Sequence, residues 1–317
     1  MRRLVDTEAV RVVVTGSSAR LLAREIATSL RGRSLSTELL PFSFAETLDH
    51  AGVDLPTRWP PPARIRSLLE HRFQRYLETG GFPEIQNVTP DIRVRTLQEY
   101  VDVVVLRDVA ERNRITNVAA LRYLTRRLLR SPSGRFSVNR IYNDLRSQGI
   151  AASKDALHEY LAHLEDAYLL FTIDRHSESV KQRQVNPKKC YLVDHGLAQA
   201  LAFQRTDDVG HLLENIVYLE LRRRGFTASY VTTASGLEVD FLARHRTGRE
   251  RLVQVCADLA GPKTRDRELR ALDEAMRALK IRNAAIVTMR EEEILKAGGG
   301  AVRVVPAWRW LLEPEEG

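Results

Sequence analysis

Cysteine is scarce in this chain. Cys190 and Cys256 are the two in 317 residues, they lie in separate segments, and they match no metal-ligand spacing. Both a disulfide framework and a zinc site are argued against on that ground. Long apolar runs are missing as well: nothing approaches the roughly 18 consecutive residues that cross a bilayer. The opening MRRLVDTEAV holds no signal-type hydrophobic segment, so the sequence predicts a soluble, cytoplasmic protein with no membrane partner. Acids are in deficit, 41 Asp and Glu against 49 Lys and Arg, and the net charge of +8 with a pI of 9.7 suits a polyanionic partner. Almost all of the basic residues are Arg, a bias that codon usage alone can produce, so charge by itself does not separate that reading from a plain basic surface.

What is present is organised around His211 to Asp258. HLLENIVYLELRRRGF has apolar residues at helical spacing, ASYVTT and GLEVDFLARH alternate like strands, and ERLVQVCADL follows as an apolar strand. Glu214 sits on the helix beside Val217, Tyr218 and Leu221 at i+3, i+4 and i+7. On the next strand, alternation places Glu238 and Asp240 on one face and Leu237, Val239 and Phe241 on the other; on the strand after that, Gln254 and Cys256 share a face. Helix Glu, strand Asp, then a polar-x-polar pair resembles the core of the restriction-endonuclease-like PD-(D/E)-x-K fold, with Cys256 where that family has Lys. The resemblance implies Glu214, Asp240, Gln254 and Cys256 as a degenerate catalytic set and Glu214 and Asp240 as weak Mg²⁺ ligands. Mg²⁺ prefers oxygen donors, and a neutral thiol supplies neither a hard ligand nor the cation that orients attacking water. Losing one such electrostatic partner costs about 2.7–4 kcal/mol in a transition state, so the expectation is a site without nuclease activity.

Earlier in the chain, VRVVVT over Val10 to Thr15 reads as a doubly covered central strand, and Gly16-Ser17-Ser18 leads into a helix with Leu21, Leu22, Ile26 and Leu30 on one face. A proline-rich loop (Pro56, Pro60, Pro61, Pro62) precedes ARIRSLLEHRFQRYLETGG, a helix with Leu68, Leu69, Phe73 and Leu77 inward that stops at Gly80-Gly81. DIRVRTLQEYVDVVVLRDVAER supplies a further helix carrying Leu97, Val101, Val104, Val105 and Val109. From Asn117 to Leu197 come three helices, two of them capped by Ser137 and Ser153, then the hairpin FTIDRH and KKCYLVD. That order is a winged helix, whose usual partner is DNA. Its third helix sets Lys154 against Asp155, Glu159, Glu165 and Asp166, a sum of 1 − 4 = −3. Phosphates would be repelled there, so Arg175, Lys181, Arg183, Lys188 and Lys189 of the wing are the candidate DNA contacts, beside a protein-docking reading of the same module.

The run of landmarks Thr15-Gly16-Ser17-Ser18, Leu40-Pro41-Phe42-Ser43-Phe44-Ala45-Glu46, Gly80-Gly81-Phe82-Pro83-Glu84, Tyr191-Leu192-Val193-Asp194, Glu214-Asn215 and Glu238-Val239-Asp240-Phe241 resembles the prokaryotic AAA-type ATP-binding proteins whose C-terminal half is a domain of unknown function. That resemblance implies ATP and Mg²⁺ as cofactors, with Ser17 at a sensor position and Arg33 reaching a nucleotide. No G-x-x-x-x-G-K-[ST] loop occurs in the chain to cradle phosphates, and Gly261-Pro262-Lys263-Thr264 reads as a turn into a helix. The whole then reads as α/β and α+β multidomain: a partial AAA-type P-loop NTPase core over 1–60, a helical lid over 61–112, a winged helix over 113–205 and a PD-(D/E)-x-K-like domain over 206–317. Its expected role is that of a truncated ATP-binding AAA-family ATPase relative, DNA-associated and without catalysis of its own. A Mg²⁺-dependent DNA nuclease and a non-enzymatic scaffold, homo-oligomeric or docked on a protein partner, are the rivals. Because MRRLVDTEA cannot build strands beside Val10 to Thr15, the reading places Met1 inside a longer frame, with the missing loop upstream.

Overall fold

Ser43 opens the first helix among the described residues with a reciprocal cap: its hydroxyl accepts from the Glu46 amide, and the Glu46 carboxylate accepts from the Ser43 amide. The resulting α1 (Phe44–His50) buries Phe44 and Leu48. This computed structural model describes residues 12–16, 35, 37–56, 58–179, 186–201 and 209–314. Ser17, Arg33, Lys181, Arg183 and the helix expected after Ser18 lie outside them.

α2 (Ala63–Thr79) buries Leu69, Phe73, Tyr76 and Leu77 and ends at Gly80, whose φ of +85° suits a residue without Cβ. Leu68, expected inward, is 37% exposed, because the next residue, Leu69, already occupies the centre of the buried stripe. α3 (Pro90–Val103) runs directly into a π-helical stretch, Val104–Glu111, and together they bury Leu97, Val101, Val104, Val105 and Val109 as the spacing predicts.

Three helices follow: α4 (Val118–Leu129), α5 (Val138–Ser147) and α6 (Lys154–Asp166). Each is opened by a side chain that accepts a backbone amide of the first turn, Asn117 from Ala120, Ser137 from Arg140 and Ser153 from Ala156. A three-stranded antiparallel sheet comes next, in the order β1 (Arg135–Phe136), β3 (Lys188–Leu192), β2 (Leu170–Ile173). The short α7 (Gly196–Leu201) follows β3.

Two landmark motifs meet here. Asp194 accepts from the Gly81 amide at 2.5 Å, 113 residues away in sequence, and from the Gly196 amide at 2.7 Å, while the His195 ring bonds the Tyr76 carbonyl at 2.7 Å. A Cβ on Gly80 would run into the Asp194 carboxylate and the Gly196 backbone. The glycine pair that stops α2 is therefore also the surface on which the Asp194 turn sits.

α8 (Val209–Arg223) is buried on every side from Leu212 to Leu221. It packs on a six-stranded mixed sheet in the order β4 (Phe226–Thr232), β5 (Glu238–His245), β6 (Glu250–Val255), β7 (Ala284–Thr288), β9 (Gly300–Pro306), β8 (Glu293–Ala297). β6, β7 and β9 are parallel, and α9 (Pro262–Leu279), which starts after Gly261 as a turn into a helix, makes the β6 to β7 crossover. Phe241, Val253, Val287 and Val305 join one core with Tyr218 of α8, the helical half and α10 (Ala307–Leu312). Leu242, Leu252, Ile286 and Val304 join a second core with Leu272 and Met276 of α9. The fold is mixed α/β, a helical half whose packing continues onto one face of the large sheet.

The expected strand over Val10 to Thr15 is corrected by the described part of that segment. Val12 to Gly16 pair with no strand among the described residues, and Val13 is 75% exposed. β-branched residues favour a pleated surface only when neighbours cover it.

Candidate functional site

The site begins with an irregularity in β5. Ser229 pairs with Leu242 but Val231 pairs with Val239, so Asp240 and Phe241 together stand opposite Tyr230. Such a bulge inserts one residue into the ladder and re-aims side chains. It overturns the strict alternation read from the sequence: Val239 enters the α9 core, whereas Phe241 packs on Tyr191 and Tyr218 in the α8 core. Glu238 and Asp240 nevertheless converge as expected, and Glu214 reaches them from α8.

Their common partner is Lys189. From β3 of the small sheet, its ammonium donates to Glu214 Oε1 at 2.8 Å and Asp240 Oδ1 at 2.9 Å, and pairs with Glu238 Oε1 at 2.9 Å. The side chain is 3% exposed, so it cannot meet a phosphate from solution, which corrects its placement among the wing's DNA contacts. The rest of the cluster is bonded too. The Tyr191 hydroxyl donates to Glu214 Oε1 at 2.8 Å, the Val255 amide donates to Asp240 Oδ2 at 2.9 Å, and the Arg135 guanidinium pairs with Glu238. Two cations face three carboxylates.

Burial and that imbalance together set the protonation. Burial, and then the neighbouring Asp240 charge, push Glu214 up to about 7 against the opposing pull of Lys189. Burial lowers the Lys189 value, but Asp240 and Glu214 outweigh it and hold the ammonium above the ordinary lysine range. The Tyr191 hydroxyl is driven well above 10 by burial and by Glu214, so it stays a donor.

Gln254 and Cys256 are bonded away from Lys189. Gln254 accepts from the Asp240 amide at 3.1 Å and donates to Glu268 of α9 at 2.7 Å, which spends its side chain on holding strand to strand and strand to helix. The Cys256 thiol donates to the Asp258 carbonyl at 3.2 Å and packs in the α9 core; burial and Glu268 raise it to about 11. Among the described residues, no group of three His, Cys, Asp or Glu is placed to hold a metal ion. The Lys189 ammonium takes up the space between Glu214 and Asp240.

Sequence reasoning assigned Lys189 to the wing and missed its role here. The local signal was only Lys189-x-Tyr191, two residues that alternation puts on one face of β3 and that both end on Glu214. Of the other wing residues, Lys188 pairs with Asp174 at 2.6 Å, and Arg175 makes a backbone bridge to Tyr230 of β4. That bridge is two-sided: the Tyr230 amide donates to Asp174 O at 3.1 Å, and Tyr230 O accepts from the His176 amide at 2.7 Å.

Comparison with known proteins gives three family matches. An AAA domain matches residues 1–48, and two domains of unknown function match 70–208 and 209–310. The uncharacterized protein MJ1544 of Methanocaldococcus jannaschii is 34% identical over 322 residues, covering 98% of this chain and 71% of that protein. An uncharacterized protein of Haemophilus influenzae is 30% identical over 233 residues, covering 74% of this chain and 56% of its own length. No solved structure matches. No helix among the described residues is long and apolar enough to cross a membrane.

Proposed function

Because the chain belongs to the same family as the archaeal protein MJ1544 and its N-terminal segment matches an AAA domain, we propose that it is a DNA-associated, AAA-type protein whose nuclease-like cluster is held closed by its own lysine and performs no cleavage. The carrying observation is the Lys189 ammonium, bonded to Glu214 and Asp240 and paired with Glu238 at the position a divalent cation would need. Both implied cofactors fail to fit. Mg²⁺ would have to displace a buried, triply paired ammonium. ATP finds no G-x-x-x-x-G-K-[ST] loop in this chain. Under this reading the partial AAA segment, the lid, the winged helix over 113–205 and the PD-(D/E)-x-K-like sheet form a binding platform. Ser17 and Arg33 would act on a nucleotide only when another polypeptide or segment supplies the phosphate cradle.

A second reading has one observation in its favour. Lys189 brings to Glu214 and Asp240 the cation that β6 lacks, and an ammonium beside two acids is what a metal-dependent nuclease uses to orient water and offset charge. The test is a cleavage assay on plasmid, linear and single-stranded DNA with Mg²⁺ or Mn²⁺, using the intact chain and its Lys189→Met and Asp240→Ala variants. The platform reading expects no cleavage by the intact chain. Cleavage that both substitutions abolish would replace it with the nuclease reading.

A further inference from the structure

The arginines of this chain are not spread evenly. Between Arg112 and Ile150 there are nine Arg and a single acid, Asp144, whereas α6 directly after carries a net −3. The three-helix module is therefore polarised: α4 and α5 are positive and α6 is negative. Arg122, Arg126, Arg127, Arg140 and Arg146 are all exposed, and among the described residues none of them pairs with a carboxylate. Arg224, Arg265, Arg303 and Arg309 of the C-terminal half, by contrast, each have a carboxylate partner. Arg122 and Arg126 lie four residues apart, and with Arg127 beside them they form one positive stripe on α4. Holding like charges side by side without counter-charges is unfavourable on a helix. A polyanion laid along the stripe relieves it.

We propose that the exposed arginine face of α4 and α5 is the DNA-docking surface of this protein, in place of the wing. The proposal rests on the DNA-associated reading above and not on the Lys189 cluster. The wing is weakened as a docking surface by the structure itself: Lys189 is buried, Lys188 is paired, and Arg175 is tied by its backbone to β4. The acidic α6 cannot approach phosphates either. Duplex DNA fits the arginine face better than the other polyanions. No large apolar side chain is exposed between Val103 and Ile294 among the described residues, so the face offers nothing to insert between lipid tails. Nor does it present an open aromatic platform for stacking unpaired bases: Tyr142 is covered by Lys154, and the Tyr123 hydroxyl accepts from Gln148. Unpaired guanidiniums without base-reading neighbours meet phosphates, so binding should tolerate any sequence.

The experiment measures binding of the intact chain to a short mixed-sequence duplex across a salt series, with vesicles of phosphatidylserine and phosphatidylcholine as the competing polyanion. Two variants are compared: Arg122→Gln/Arg126→Gln/Arg127→Gln on α4, and Arg175→Gln/Lys188→Gln on the wing, each checked for native circular dichroism and melting. The α4 triple should weaken duplex binding about ten-fold or more at low salt and flatten the logarithmic salt slope by about 0.9 for each arginine that meets a phosphate. The wing variant should leave the slope within error. If the wing variant flattens it and the triple does not, the docking surface is wrong while the DNA reading stands. A wild-type chain that shows no salt-dependent duplex binding, or that prefers vesicles, overturns both.

Discussion

Lys189 and Glu214 are 25 residues apart and belong to different halves of the fold, yet their side chains share a bond of 2.8 Å in a place almost closed to water. Stripping one partner from a buried ion network leaves uncompensated charge and costs about 3–5 kcal/mol. Lys189→Ala should therefore lower the melting temperature sharply at pH 8. Millimolar Mg²⁺ or Mn²⁺ should recover part of that loss in the variant and none in the intact chain, because only the variant has an open cation position. Thermal melts with and without metal check this, and equal metal responses in the two proteins would count against the closed site.

Glu214 gives the cluster a pH signature. Its folded value of about 7 lies above the ordinary carboxyl value of 4.5, so the unfolded chain loses this proton first as pH rises. The contribution to stability is complete below about 4.5 and is lost as pH rises through 7, with a slope of up to ~1.4 kcal/mol per pH unit in that window. Glu214→Gln keeps the acceptor for Lys189 and Tyr191 but has no proton to lose. Denaturant unfolding at a series of pH values should show a flatter profile for the variant and higher stability than the intact chain at pH 8.

Gly80 carries two constraints at once, a φ of +85° and the Asp194 carboxylate against its Cα. Gly80→Ala should destabilise the fold by more than the ~1–3 kcal/mol that backbone strain alone costs, whereas the same change in an unstrained backbone is slightly stabilising. Gly149, with φ +73° but nothing within 4 Å of a built Cβ, is the control that has a positive φ without a close contact. Chemical unfolding of both alanine variants compares them, and a loss at Gly80 no larger than at Gly149 would count against the Asp194 contact.

Both thiols should be inert in the folded chain. Burial raises Cys190 and, with Glu268, raises Cys256 to about 11, so neither offers much thiolate at pH 8. A colorimetric disulfide reagent should react with neither thiol before denaturant is added and with both afterwards.

The elements legible in the sequence were those specified by neighbours along the chain. Ser137 and Ser153 marked helix starts, Gly80 marked a stop, and the i, i+4 spacing of Leu97, Val101 and Val105 marked a buried stripe. The meeting of Glu214 with Asp240, both bonded to Lys189, was anticipated only through the resemblance to the PD-(D/E)-x-K core, since nothing local along the chain links the two positions. What failed depended on contacts that local pattern does not encode. Lys189 faces inward because strand β3 turns it toward acids up to 51 residues away. Val239 and Phe241 part company because one extra residue in β5 breaks the period of two. Cys256 looked like a site residue because it shares a parity with Gln254, yet that face of β6 belongs to α9.

The backbone bridge at Tyr230 has a bearing on self-association. β4 is one of the two terminal strands of the large sheet, and an exposed terminal strand offers its amides and carbonyls to any extended chain that passes. Residues Asp174 to His176 occupy the middle of that rim, taking the Tyr230 amide and carbonyl out of reach. The hairpin of the small sheet is thus a guard strand for its neighbour. A C-terminal fragment that starts at Val209 would lose the guard, and copies of it would be free to join edge to edge through β4.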